Sequence, residues 1–223
     1  MDYAADSKSG TGARYTLGEE LVNAITHGLG TIFSVAATTL MVTASALQQD
    51  WVKLGASIVY GLSLILLYLM SPLYHAIRSV RVKEVLRVFD HCSIFLLIAG
   101  TYTPYTLVTL RGPVGWGLFI WIWAAAALGI TLNIISIQRF RLFSMICYVA
   151  MGWSIMVTVR PLMAAIPAQG LWLLIWGGVA YTGGIVFYAL KRRRYFHGIW
   201  HLFVLAGSVL HFLSIFRYVI LPA

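Results

Sequence analysis

The sequence predicts an all-α polytopic membrane protein of seven transmembrane helices, with its N-terminus cytoplasmic and its C-terminus outside. Three observations carry that prediction. Of 223 residues, 60% are hydrophobic and only 10% charged, with a mean hydropathy of +0.84, whereas a soluble domain carries roughly 25% charge. Seven apolar runs reach the roughly 20 residues that a helix needs to cross a bilayer. The basic residues also sort by side. With the N-terminus inside, twelve of the 16 lysines and arginines face the cytoplasm and only Lys53, Arg111, Arg160 and Arg217 lie outside, a positive-inside bias. This orientation is opposite to that of a G-protein-coupled receptor and disfavours that class. The net charge of +9 sits in short loops and forms no stripe with interleaved aromatics, so no nucleic-acid partner is expected.

Residues 1–14 are polar and rich in small side chains, the composition of a disordered cytoplasmic tail, and residues 15–223 read as a single seven-helix membrane domain. No basic segment leads into an apolar one at the start, so no cleavable signal is expected and the first helix serves for targeting. That helix is the run 21–47, preceded by Glu19 and Glu20, which read as surface residues on an interfacial turn. Asn23 and His27 lie low on it, His27 being either near the site described below or interfacial. The run 51–77 ends with Ser71, Pro72 and His75, where the proline removes a backbone donor and loosens the helix. The run 88–110 starts near Asp90. His91 is rotated by about 100° from it and faces elsewhere. The runs 114–137 and 142–162 flank a basic loop. Cys92 and Cys147 belong to no metal pattern and read as buried small hydrophobes. Gly177, Gly178, Gly183 and Gly184 in the run 168–190, like Gly28 and Gly30 in the first, allow close helix contact. Trp116, Trp121, Trp123, Trp172 and Trp176 fit an interfacial belt or a lipid-facing surface. The last run, 198–218, follows His197 and carries His201, Ser208 and His211.

Polar groups embedded in a membrane are expensive and usually functional. Ser71, His75, Asp90, His197 and His201 come from three helices, yet the orientation brings them to one membrane level on the cytoplasmic side. His197 and His201 share a helix face, about 40° apart and one turn up, a spacing that offers two imidazoles to one ion. Singly, His75 would be an interfacial anchor and Asp90 a helix-start residue facing headgroups; their common depth is what favours a metal. Three imidazoles and a water make an open zinc site, in which the ion brings the water's pKa towards ~7. Asp90 would act on that water as general base, orient a ligand from behind, or bind the ion directly. Ser71 would hold the water or a substrate carbonyl. Zinc, one carboxylate and one hydroxide are together neutral, as a poorly solvated site favours. Asp90 and the histidine pair also begin their helices, where the positive helix end favours carboxylate and disfavours imidazolium. His211 lies about 21 Å beyond His197 along the helix and cannot share the ion. With Ser208 it lines a cavity or, in the preferred reading, hydrogen-bonds a neighbouring helix.

These stretches carry a family resemblance. Glu19 to Gly28, Ser71-Pro72-Leu73-Tyr74-His75, Phe89-Asp90-His91-Cys92, Ala99 to Pro104 and His197-Gly198-Ile199-Trp200-His201 resemble the bacterial hemolysin III family, over nearly the whole chain after residue 15. That family is similar to the progestin and adiponectin receptors and, more distantly, to alkaline ceramidases. The resemblance implies seven helices with the N-terminus inside, and zinc held at His75, His197 and His201. It implies that Asp90 contacts the zinc-bound water and that Ser71 is the serine of a shared hydrolase motif. It also implies a multi-pass protein of the bacterial inner (plasma) membrane, with membrane lipids as its partners.

Two classes of function follow. One is a zinc-dependent hydrolase of lipid amide or ester bonds, as in ceramidases. The other is non-enzymatic: a regulator or sensor of membrane lipid and energy homeostasis, or a pore-forming cytolysin, with structural zinc. A conducting pore needs a polar stripe through the whole bilayer, whereas the polar groups here crowd one end.

Overall fold

The computed structural model describes residues 16–77, 79–190 and 193–221. The side chains of Ser71, Tyr74 and His75 and the tail 1–14 lie outside the described residues. All regular structure among the described residues is helical. Helix α1 (Leu17–Leu47) opens with a capping box. The Glu19 amide donates to Thr16 Oγ1 (3.4 Å), and Glu19 Oε2 accepts from the Thr16 amide (2.9 Å), so two otherwise orphaned donors are satisfied. Helix α2 (Trp51–Ala76) starts on Asp50, whose carboxylate accepts from the Val52 and Lys53 amides at 3.0 Å. It continues through Pro72, Ser71 and His75 as helix.

Helix α3 (Val80–Pro104) begins eight residues before the apolar run that the sequence marks out. Asp90 is therefore nearly three turns inside its helix. The helix-end field expected to favour its carboxylate fades within one turn and does not act there. Pro104 lacks the N–H that would continue the ladder. The chain passes into a wide π turn, Tyr105–Thr109, closed by the Leu110 amide on the Tyr105 carbonyl at 2.8 Å.

The fourth and fifth runs form one helical stretch. Helix α4 (Gly112–Trp153) leads through a 3-10 turn (Ser154–Thr158) into α5 (Val159–Ala165). Its backbone breaks at Ser136 (φ −169°, ψ 107°), whose Oγ accepts from the Arg139 amide (3.3 Å) and so caps the second limb. The limbs lie side by side. Ser144 Oγ donates to Asn133 Oδ1 (2.8 Å) and Trp121 Nε1 to Ser154 Oγ (3.3 Å), although a straight helix would hold the latter pair about 50 Å apart. Helix α6 (Ala168–Ala189) and α7 (Phe196–Ile215, then a π turn Phe216–Ile220) complete the chain. Among the described residues, six helical segments are long and apolar enough to cross a membrane, with Gly112–Ala165 counted as one of 54 residues.

Helices α1 to α4 pack in chain order, α6 packs on α7, and α7 returns to α1, closing a ring. Leu21, Ile25, Leu29 and Ile32 form an exposed apolar row along α1, a face suited to lipid rather than water. The centre holds fully buried Tyr60, Tyr68, Phe95 and Tyr105. At the far end of α7, Gln48 Nε2 (3.0 Å) and Lys53 Nζ (2.8 Å) both donate to the Ile220 carbonyl.

Several expected roles change in the folded chain. Trp123 packs against the core and donates to Thr103 Oγ1 (3.3 Å) instead of facing lipid, whereas Trp116, Trp121, Trp172 and Trp176 are exposed. A Cβ on Gly30 would overlap the Tyr68 ring, and one on Gly177 the His211 ring, but Gly28 faces open space. Cys92 is buried, Cys147 half-buried, and both are free.

Candidate functional site

The first turns of α1 and α7 are joined. Glu19, expected at the surface, is buried, and its second carboxylate oxygen accepts from the Tyr195 amide (3.0 Å) just before α7. Tyr195 holds a left-handed backbone (φ 62°) that turns the chain into the helix. One turn on, Gly198 lets the backbones close: a Cβ there would stand 2.7 Å from Val22 Cγ1 and 3.3 Å from Asn23 Oδ1.

This approach gathers imidazoles. The His201 ring lies 4.4 Å from that of His197 and 3.8 Å from that of His27, centroid to centroid, both edge-on. His201 is 1% and His27 3% exposed. His27, which the sequence leaves undecided, thus belongs to the cluster. Thr26 Oγ1 sits 3.3 Å from His201 Nδ1. The Trp200 ring flanks both His197 and His201 at 5.0 Å. Ser71 and His75 fall on the last turns of α2, with side chains outside the described residues. Among the described residues, no three His, Cys, Asp or Glu side chains form a group spaced to hold an ion.

Asp90 reaches the cluster's neighbourhood through a cavity. A space of about 130 Å³ inside the bundle has His27, Asp90 and Trp200 in its wall at one end and Tyr105 and His211 at the other. Asp90 and Tyr105 are about 22 Å apart along α3, so the cavity is a long slot, lined mainly by apolar and aromatic side chains such as Ile94, Leu97 and Val204. His91, expected to face away, brings Nδ1 within 3.7 Å of the Asp90 carboxylate while donating to the Arg87 carbonyl (2.9 Å).

A set of buried tyrosines, which no sequence motif marks out, lies further along the bundle. Tyr68 OH donates to Ser208 Oγ, which also meets Tyr181 OH, and Tyr105 OH donates to Ser214 Oγ, each at 2.7 Å. His211 bonds the Leu174 carbonyl through Nε2 (3.0 Å), as preferred, and lines the cavity as well. A tyrosine in an apolar run looks like core. Only the serines at 208 and 214, six apart on α7, signalled that hydroxyl partners were needed.

Comparison with known proteins places the chain in a family. The family described as Haemolysin-III related matches residues 15–212. The chain belongs to the haemolysin III family. Among its relatives, Hemolysin-3 of Bacillus cereus is 43% identical over 202 residues, 91% of this chain and 92% of that protein. The Hemolysin-3 homolog of Bacillus subtilis (strain 168) is 39% identical over 204 residues, covering 92% and 96%. The Monocyte to macrophage differentiation factor of Homo sapiens, a member of the progestin and adiponectin receptor group, is 28% identical over 209 residues, covering 90% and 84%. No solved structure gives a significant match. This haemolysin III chain is a multi-pass integral membrane protein, and its bacterial relatives point to the plasma membrane.

Proposed function

We propose that the protein is a zinc-dependent hydrolase of lipid amide or ester bonds, built on seven membrane crossings with the N-terminus in the cytoplasm. One observation carries this reading: a buried imidazole cluster stands beside a long apolar slot whose wall, at the same end, includes Asp90. His75, His197 and His201 would hold the ion. The 4.4 Å between the rings of His197 and His201 suits two nitrogens on one tetrahedral zinc, which stand about 3.3 Å apart at bonds of about 2 Å. Zinc bound there supplies Lewis acidity and makes water more acidic.

The chain's own groups supply the rest. The slot takes an acyl chain and keeps bulk water from the carbonyl at its mouth. Asp90 accepts a proton from the attacking water and returns it to the departing amine or alcohol. Ser71, on the last turns of α2, would hydrogen-bond the carbonyl or the water. The hydroxyls of Tyr68, Tyr105 and Tyr181 are engaged by Ser208 and Ser214, which leaves them poorly placed to hydrate a passing ion and speaks against a pore.

The test is metal content and lipid turnover of purified protein. About one zinc per chain is expected, with both metal and turnover lost in His201→Ala. Equal turnover of ceramide or ester lipids by wild type and His201→Ala overturns the enzymatic reading. Liposome leakage by the wild type that survives in His201→Ala supports a pore in its place.

A further inference from the structure

We propose that Thr26 is a positioning residue that fixes the tautomer of His201 and so turns its Nε2 into the metal-binding nitrogen; the metal half of this statement rests on the zinc reading above. A threonine hydroxyl has a single hydrogen to donate and two lone pairs. Thr26 Oγ1 lies 2.8 Å from the Val22 carbonyl and 3.1 Å from the Asn23 carbonyl. Both are acceptors only, so the hydroxyl hydrogen is directed along α1. A lone pair is then what Thr26 presents to His201 Nδ1, 3.3 Å away, and Nδ1 must carry the hydrogen of that bond. In a neutral imidazole the other nitrogen, Nε2, holds the lone pair.

The contact is buried on both sides: His201 is 1% and Thr26 8% exposed. No bulk water competes to reset the tautomer. The geometry depends on close packing of α7 on α1, which Gly198 permits because any Cβ there would strike Val22 and Asn23. A histidine ligand held through its second nitrogen is the general way in which proteins aim an imidazole at a metal, and removing such a partner typically weakens affinity by about 10–100-fold. In this chain the partner comes from α1, a helix outside the proposed ligand set of His75, His197 and His201. Thr26 therefore ties the first helix to the metal chemistry of the seventh.

The experiment compares wild type, Thr26→Val and Thr26→Ser in lipid nanodiscs. Valine keeps the shape and removes the acceptor; serine keeps the acceptor. Zinc affinity is measured by competition with a chromophoric chelator, and cobalt(II) is substituted to read the ligand field. Affinity about 10–100-fold weaker in Thr26→Val, with an altered cobalt spectrum and recovery in Thr26→Ser, is the result expected. Equal zinc affinity in wild type and Thr26→Val overturns the positioning role while leaving the zinc reading intact. The tautomer is read independently by 15N resonances of labelled histidine in metal-free wild type. A His201 bearing its hydrogen on Nδ1 upholds the assignment even if no zinc binds, and one bearing it on Nε2 overturns it.

Discussion

Glu19 serves three backbone or hydroxyl groups with one carboxylate: the Thr16 amide and hydroxyl through one oxygen and the Tyr195 amide through the other. Removing it strips the return half of α1's capping box, leaving the Thr16 cap itself, and takes an acceptor from the turn that launches α7. Glu19→Ala is expected to lower stability by about 1–2 kcal/mol, the worth of the hydrogen bonds that its carboxylate accepts, measured as the unfolding midpoint in detergent with increasing denaturant. An unchanged midpoint would show that the two helix starts hold without it. Half of this role was legible. Thr16-x-x-Glu19 is a capping-box pattern ahead of an apolar run, and it argues against a freely exposed side chain. The other half was not, because Tyr195 is 176 residues away and nothing in local sequence pairs them. His27 has the same history: its burial depends on a neighbour, His201, supplied by the other end of the chain. The spacing of His197 and His201, by contrast, is a property of one helix and could be read directly.

Among the elements, the α4 reversal is the most informative. Its limbs are joined by a buried side-chain bond, Ser144 to Asn133, in surroundings with little water to replace it. A double-mutant cycle with Asn133→Ala and Ser144→Ala is expected to give a coupling of about 0.6 kcal/mol and no more than about 1.7 kcal/mol, the range for hydrogen bonds between membrane helices. Zero coupling, read from unfolding in mixed micelles, would mean that apolar packing alone aligns the limbs. The sequence placed this turn within a few residues, since the apolar runs end where Gln138 to Arg141 begin. It misplaced the start of α3 for an equally physical reason. Arg81, Lys83, Glu84 and Arg87 are too polar for a hydrocarbon layer, but they are good helix formers, so the helix extends beyond the apolar run.

At the level of the whole molecule, the number of crossings and the orientation are open to a direct labelling test. In a background lacking Cys92 and Cys147, single cysteines replace exposed Arg139, beside the α4 break, and exposed Ala168, at the start of α6. A membrane-impermeant maleimide is expected to reach Arg139→Cys only from the cytoplasmic face and Ala168→Cys only from outside. Labelling of Ala168→Cys from the cytoplasm and of Arg139→Cys from outside would instead invert the orientation, and labelling of both from one face would show that the limbs of α4 are not two separate crossings. The charge pattern bears on sidedness, which that labelling tests, because lysine and arginine counts act at the level of whole loops. It could not predict which helices touch, and the α1–α7 closure that builds the imidazole cluster emerged only from the fold.

That closure is fastened at both extremities. Glu19 holds Tyr195 at the beginning of α7, and Gln48 with Lys53 grips the Ile220 carbonyl at its finish. Two helices pinned top and bottom behave as a spine. A slot that widened for a bulky guest would therefore be expected to give on the side of α4 and α6, leaving unchanged the spacing of His27, His197 and His201, which ride on the spine.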